Sequence, residues 1–238
     1  RDVSESRGLG MCIRDRYDNS MQQRKLTNRS KLIQAAARLI EKDGYKNIDV
    51  TKVTKEAKLG YGTFYNHFSD ITELFEEITK EVIISIQDFV VEVTGHEKST
   101  LKQIFIRNYF QFHAFYGSPI LEWVAENPTF LMEIWDQNTR DVTNKMIKKT
   151  IKEGELKGDP IELLDRFENI RETYRWNFLG SLHSLLAGKN PDFAFVDNFE
   201  GVDIFSMPYK EKKDFLQSIV SDYKKYSRKI QKIFLNNY

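Results

Sequence analysis

The spacing of apolar positions along the chain is helical almost throughout. In "LTNRSKLIQAAARLIEKDGYKNI", Leu32, Ile33, Ala36, Leu39 and Ile40 recur at three- and four-residue intervals, which lines one face of an α-helix. Thr27 or Asn28 offers an N-cap oxygen. Asp43-Gly44 ends the helix, since glycine suits the left-handed position past the last turn. Tyr45 and Ile48 are expected to fold back onto the core. A second, short helix is predicted over 50–57, with Asp49 as its cap and Val50, Val53 and Ala57 on one face. "KLGYG" breaks it, and a third, very short helix follows over 61–67. From Asp70 or Ile71 a long helix carries Leu74, Phe75, Ile78, Val82, Ile86, Phe89 and Val93 on its stripe.

The rest of the chain keeps the same period. Phe105, Tyr109, Phe112 and Tyr116 fall at i, i+4, i+7 and i+11, and Phe130, Ile134, Met146, Ile147 and Ile151 mark another helix. Pro119 and Pro128 bracket a piece that forms a short helix at most. Two late helices carry Leu163, Phe167, Ile170, Tyr174, Phe178, Leu182 and Leu185, and then Phe215, Ile219, Tyr226, Ile230 and Ile233. Between them, 189–208 is long for a loop. Its Phe193, Phe195, Phe199 and Phe205 should pack on the body or on a partner subunit. The predicted fold is all-α. A helix-turn-helix domain occupies 21–70, a fourth helix over 71–95 links it onward, and a helical domain spans 96–238.

Composition supports this without adding much. With 238 residues, 40% of them hydrophobic, the chain can bury a sizeable core. No apolar run approaches the ~18–20 residues of a membrane helix, so no membrane partner is expected. The single cysteine, Cys12, forms no internal disulfide and fits a cytoplasmic setting. The opening residues show no apolar core of a secretory signal. The first twenty, "RDVSESRGLGMCIRDRYDNS", share no periodicity with the rest of the chain. "MCIRDR" resembles a translated sequencing adapter, so this leader is expected to be non-native, with the true start at Met21.

Charge alters the picture more. Residues 21–70 hold ten Lys or Arg against five Asp or Glu, while the whole chain has a net charge of only +1. A basic head on an acidic body points to a polyanion partner. The head also holds the stretch "GYGTFYNHF". Two short helices joined by a glycine-containing turn make a helix-turn-helix, whose second helix enters the DNA major groove. Gly62 then removes bulk where backbone meets DNA. Thr63 offers a hydroxyl and a methyl to a base edge or phosphate. Tyr61 can contact bases, and Tyr65, Asn66 and His67 can donate to phosphates. Lys46, Thr51 and Lys52 extend this candidate interface, with Lys55 and the arm residues Arg24 and Lys25 adding charge. Phe64 and Phe68 should face inward. In isolation, "TFYNHF" reads better as local packing; the basic surroundings and the helical rhythm reverse that preference in favour of DNA.

The segment "LIQAAARLIEKDGYKNIDVTKVTKEAKLGYGTFYNHFSDITELF" closely resembles the DNA-binding domain of the TetR/AcrR family of transcriptional regulators. The landmarks are the alanine-rich first helix, the "GY" after it, "V..V.KEA", and "G.GTFY.HF" followed by "ELF". "IKEGELKGDP" is similar to the family's turn before its penultimate helix. The chain departs from the family pattern at Gly60, where a serine cap is common, and at Ser69-Asp70, where a phosphate-touching lysine is common.

The resemblance implies a double-stranded DNA operator, a homodimer and a small-molecule effector, acting on a repressor that the effector releases. An activator or a co-repressed regulator stays open. It implies that the helical body encloses a pocket, with Tyr109, Phe112, His113, Tyr116, Trp123, Trp135 and Trp176 as candidate lining residues. For any one of these residues core packing is the better reading; for the group, the resemblance supplies the reason for a pocket. It also implies that the last two helices pair across a two-fold axis, which makes Phe167, Tyr174, Phe178, Leu182, Phe215, Ile219, Tyr226 and Ile230 candidate interface residues. The alternative is that they close the subunit's own core.

Two other readings compete. An architectural DNA binder without an effector would use the same scaffold. An enzyme is disfavoured, because the chain has no GxSxG, HExxH, CxxC or P-loop. His67, His96, His113 and His183 lack metal-ligand spacing. No catalytic residue, metal or cofactor is expected.

Overall fold

The computed structural model describes residues 27–232, without the side chains at 135, 138, 139, 142 and 143. The leader 1–20, Arg24, Lys25 and Ile233 lie outside the described residues. Every regular element among the described residues is helical. The chain divides into two compact units between Ile78 and Thr79.

In the first unit, α1 (27–43) buries Leu32, Ile33, Ala36 and Ile40. Gly44 ends it at φ 74°, with its N–H donating to the Ile40 carbonyl at 2.9 Å. A 3-10 turn (Tyr45–Asn47) leads to α2 (Val50–Glu56), where Asp49 accepts from the Lys52 N–H at 2.8 Å. The turn after α2 is built on Lys58, which adopts φ 57° so that the Leu59 N–H reaches the Thr54 carbonyl at 2.9 Å. A short α3 (Tyr61–Tyr65) follows, and Gly60 gives it no side-chain cap. Phe64 and Phe68 are buried with ring centroids 5.6 Å apart, which holds α3 on the domain core.

The fourth helix, α4 (Ile71–Thr94), starts in this unit. Asp70 Oδ1 accepts from the Glu73 N–H at 2.9 Å, and Glu73 Oε2 accepts from the Ser69 N–H at 2.6 Å. That reciprocal pair satisfies donors the helix start leaves open. The hydrogen bond from Ser69 holds the Glu73 carboxyl below its ordinary pKa.

The second unit is organised around α5 (Thr100–Phe115). Ile104, Phe105, Ile106, Tyr109, Phe110, Phe112 and Phe115 are all buried, so the helix is apolar on every side rather than along one stripe. It packs against α7 (Pro128–Lys152), α9 (Pro191–Glu200), α10 (Tyr209–Tyr223) and α11 (Ser227–Gln231). α6 (Leu121–Glu126) and α8 (Pro160–Leu186) complete the unit. The start of α5 is capped from a distance. Glu155, in the turn after α7, accepts from the Thr100 N–H at 2.8 Å, the Leu101 N–H at 3.1 Å and the Ser99 hydroxyl at 2.8 Å.

Two segments differ from the sequence expectation. Residues 191–200, expected as a packed loop, form α9: Asn190 caps it by accepting from the Asp192 N–H at 2.8 Å, and Pro191 occupies its first turn. The last helix, expected to run unbroken from 209, gives way to a 3-10 turn (Lys224–Tyr226) before α11. There Lys224 pairs with Asp192 at 2.8 Å, and the Tyr226 ring sits 6.2 Å from Phe89. These long-range contacts shape a stretch whose local sequence contains neither glycine nor proline.

Candidate nucleic-acid interface and a cleft in the helical body

α3 spans five residues and presents two faces. Phe64 faces the core, while Tyr61 and Tyr65 stand outward, 55% and 50% exposed. Their hydroxyls are 3.0 Å apart and their rings meet edge-on, so the two phenols form one preorganised unit. The bond to Tyr61 raises the Tyr65 pKa above its ordinary value. Gly62 is exposed between them, and a Cβ built there meets nothing within 4 Å. The domain's own packing therefore does not require a glycine at this position.

Asn66 is exposed, and Thr63 and His67 are half-buried. Lys46, Thr51 and Lys52 are exposed on the 3-10 turn and α2. The Lys46 ammonium lies 5.5 Å from the Tyr45 ring centroid, and Lys52 Nζ donates to the Asn47 carbonyl. All nine candidates thus reach the surface of one domain and present hydroxyl, amide and ammonium donors. By contrast, Arg29 is engaged in the scaffold, pairing with Glu77 at 3.0 Å over the Phe68 ring. Lys58 was missed as a structural position, because a lysine gives no local signal for a left-handed turn.

In the second unit, the expected pocket residues do not gather round a cavity. Tyr109 and Phe112 are sealed in an aromatic core, Phe112 lying 4.7 Å from Phe178 and Tyr109 5.3 Å from Phe195. Trp123 packs on Phe130 at 5.2 Å. Tyr116 is half-buried just past α5, and Trp176 is 65% exposed. The side chain of Trp135 lies outside those described. His113 Nε2 bonds Asp192 Oδ1 at 2.9 Å, and the same oxygen accepts from the Tyr109 hydroxyl at 2.8 Å. Burial lowers the His113 pKa, leaving the ring neutral. Burial pushes Asp192 upward, but hydrogen bonds from Lys224, Tyr109 and His113 outweigh it and hold the carboxyl below its usual range.

A cleft lies instead along the adjoining side of α5. It is narrow, with a cavity of about 50 Å³, and its lining includes Phe105, Arg107, Gln111, Phe167, Tyr174 and Phe199. The Tyr174 ring stacks on Phe199 with centroids 4.9 Å apart. Arg107 and Gln111 were missed because a polar residue between apolar ones on a helix reads as surface. Both are buried.

The expected interface residues also sit elsewhere. Phe167, Tyr174, Phe178, Leu182, Ile219 and Ile230 are buried within the subunit, and Phe215 and Tyr226 are half-buried. Their apolar stripes close the body's own core and wall its cleft. The exposed apolar residues of α8 are Ile161, Trp176 and Leu186.

A three-helix head with a short, outward-facing second helix after a tight turn, followed by a larger helical body, defines the class: a helix-turn-helix protein with an appended helical domain. Residues 32–78 match the profile of "Bacterial regulatory proteins, tetR family". An HTH-type transcriptional regulator of Staphylococcus aureus strain USA300 is 33% identical over 63 residues, 26% of this chain and 34% of the relative. The chain thus matches about a third of that relative's length. Among solved structures, RolR bound to resorcinol superposes with a TM-score of 0.62 at 16% identity, over 82% of this chain and 95% of that one. Thermus thermophilus FadR, a TetR-family repressor bound to lauroyl-CoA, gives a TM-score of 0.57 at 15% identity, over 76% and 95%. At those identities the likeness is one of fold.

Proposed function

We propose that this protein is a sequence-specific DNA-binding transcriptional regulator of the bacterial cytoplasm, working as a homodimer. In this reading the head binds duplex DNA, the helical body binds a small molecule, and binding there releases a repressor from its operator. No catalytic step is assigned to it. The observation that carries the reading is the surface of α3: paired exposed tyrosine hydroxyls flank a glycine that the fold does not need. Close backbone approach by DNA gives that glycine a purpose. RolR and FadR, with their ligands, are the precedent for an effector in a body of this fold.

Two heads on a two-fold axis must meet half-sites about one helical turn apart, ~34–36 Å. An effector that favours a conformer with a different spacing weakens binding in proportion to its preference for that conformer. Selection from random duplexes tests this: a palindrome should be enriched, and its affinity should fall with salt at a slope of about −0.9 per phosphate neutralised. Sequence-indifferent binding of all duplexes would support an architectural role instead. No binding at low salt would end both readings.

A further inference from the structure

Among the described residues, Arg107 is a buried cation with no carboxylate paired to it. It is 6% exposed, and among the described residues its one hydrogen-bond acceptor is the Met146 thioether, with Nη2 2.9 Å from Sδ. No carboxylate among the described residues forms an ion pair with it. Asp88 borders a second recess beside Arg107 without pairing. Its neighbours on α8 behave differently: Arg171 and Arg175 are both neutralised by Asp136 and Glu172. Burying a charge without a partner is unfavourable enough that such groups are normally paired. Burial lowers the Arg107 pKa to about 10, against a smaller opposing interaction with Tyr174, which still leaves it fully charged at neutral pH.

Gln111 stands one helical turn further along the same face. Its Oε1 accepts from the Tyr174 hydroxyl at 2.9 Å, while its Nε2 has no acceptor among the described residues. Arg107 and Gln111 both line the cleft together with Phe105, Phe167 and Phe199, and Arg171 and Arg175 line it as well. We propose that the cleft binds a small organic carboxylate, an aromatic or medium-chain aliphatic acid, with its carboxylate on Arg107 and Gln111 and its apolar body against those rings. A guanidinium matches a carboxylate in bidentate geometry, and an apolar cleft with few placed donors is the usual form of such a site. The inference rests on the proposed effector-binding role of the body and gives that effector a chemical class.

The test uses the full chain with benzoate and octanoate as acids, benzyl alcohol and 1-octanol as neutral counterparts, and phenyl phosphate as a different anion. The acids should raise Tm and release the selected operator, and the alcohols should do so at least about tenfold less well. Arg107→Met and Gln111→Leu should each lose most of the response to the acids. Arg107→Met should also raise Tm of the unliganded protein, because it removes an unpaired buried charge at similar volume. Phenyl phosphate acting as well as benzoate, at matched concentrations, would overturn the carboxylate assignment. Alcohols acting as well as acids, with Arg107→Met indifferent, would overturn the proposal while leaving an effector-binding body intact. If no compound shifts Tm or releases DNA, the proposal fails. An unbiased metabolite screen that does release DNA would then show that the effector reading survives it.

Discussion

Gly62 separates what folding needs from what recognition needs. Glycine inside a helix costs about 0.5–1 kcal/mol relative to alanine, and here a Cβ has open space. Gly62→Ala should therefore stabilise the domain by about 0.5–1 kcal/mol in chemical denaturation, while lowering affinity for the selected duplex. A variant that is more stable and binds equally well would show that nothing approaches this backbone. Tyr65→Phe leaves the ring in place and removes the hydroxyl bonded to Tyr61. Affinity should fall alike on specific and scrambled duplexes, with the fold unchanged. The sequence already set these residues apart, since glycines flanked by tyrosines fit poorly with a core helix, and the structure places Tyr61 and Tyr65 at the surface. It did not make Arg107 legible, because whether a polar residue on a helix is buried depends on how many neighbours surround that helix. α5 has neighbours on every side.

Helix ends were read more securely than helix surroundings. Asp49 and Asp70 cap α2 and α4 through local bonds, and local bonds leave a local sequence signature. The α9 signature, Asn190-Pro191, is equally local, but the reading of 189–208 as a long packed loop passes over it. Glu155 lies at the other extreme. It caps α5 from 54 to 56 residues away, and no local pattern announces it. Glu155→Ala would strand two N–H donors and a hydroxyl, and should cost about 1–3 kcal/mol in denaturation. The α4 cap carries a pH dependence. The Glu73 carboxyl titrates below its ordinary value in the folded state. Its contribution is therefore present above the unfolded pKa and fades as pH falls through the lowered folded one. Unfolding followed from pH 7 downward should show an acid limb that Glu73→Gln shallows. An identical limb in both proteins would mean that the bond from Ser69 does not stabilise the folded state.

Assembly is the scale at which apolar spacing misleads, because a stripe that closes a subunit's own core has the same period as one that meets a partner. Phe178 and Ile230 are fully buried, so charging either should unfold the body: truncating a buried Phe already costs about 3–5 kcal/mol. The outer face of α8 has the better claim to a partner. Trp176, Leu179, His183 and Leu186 follow at three- and four-residue spacing, which places them on one face. Trp176 and Leu186 are exposed, and Leu179 is half-buried. A homodimer joined there would cover large apolar side chains that otherwise face water. Trp176→Glu combined with Leu186→Glu should give a monomer in sedimentation with its thermal stability and helical signal retained, whereas Phe178→Glu should lose both. The monomer should bind an isolated half-site as before yet bind the full palindrome about 10²-fold more weakly, since joining two heads raises the effective concentration of the second. If the double variant stays dimeric and keeps its palindrome affinity, the subunits meet on another face. A folded monomer that keeps that affinity would show that one head is enough.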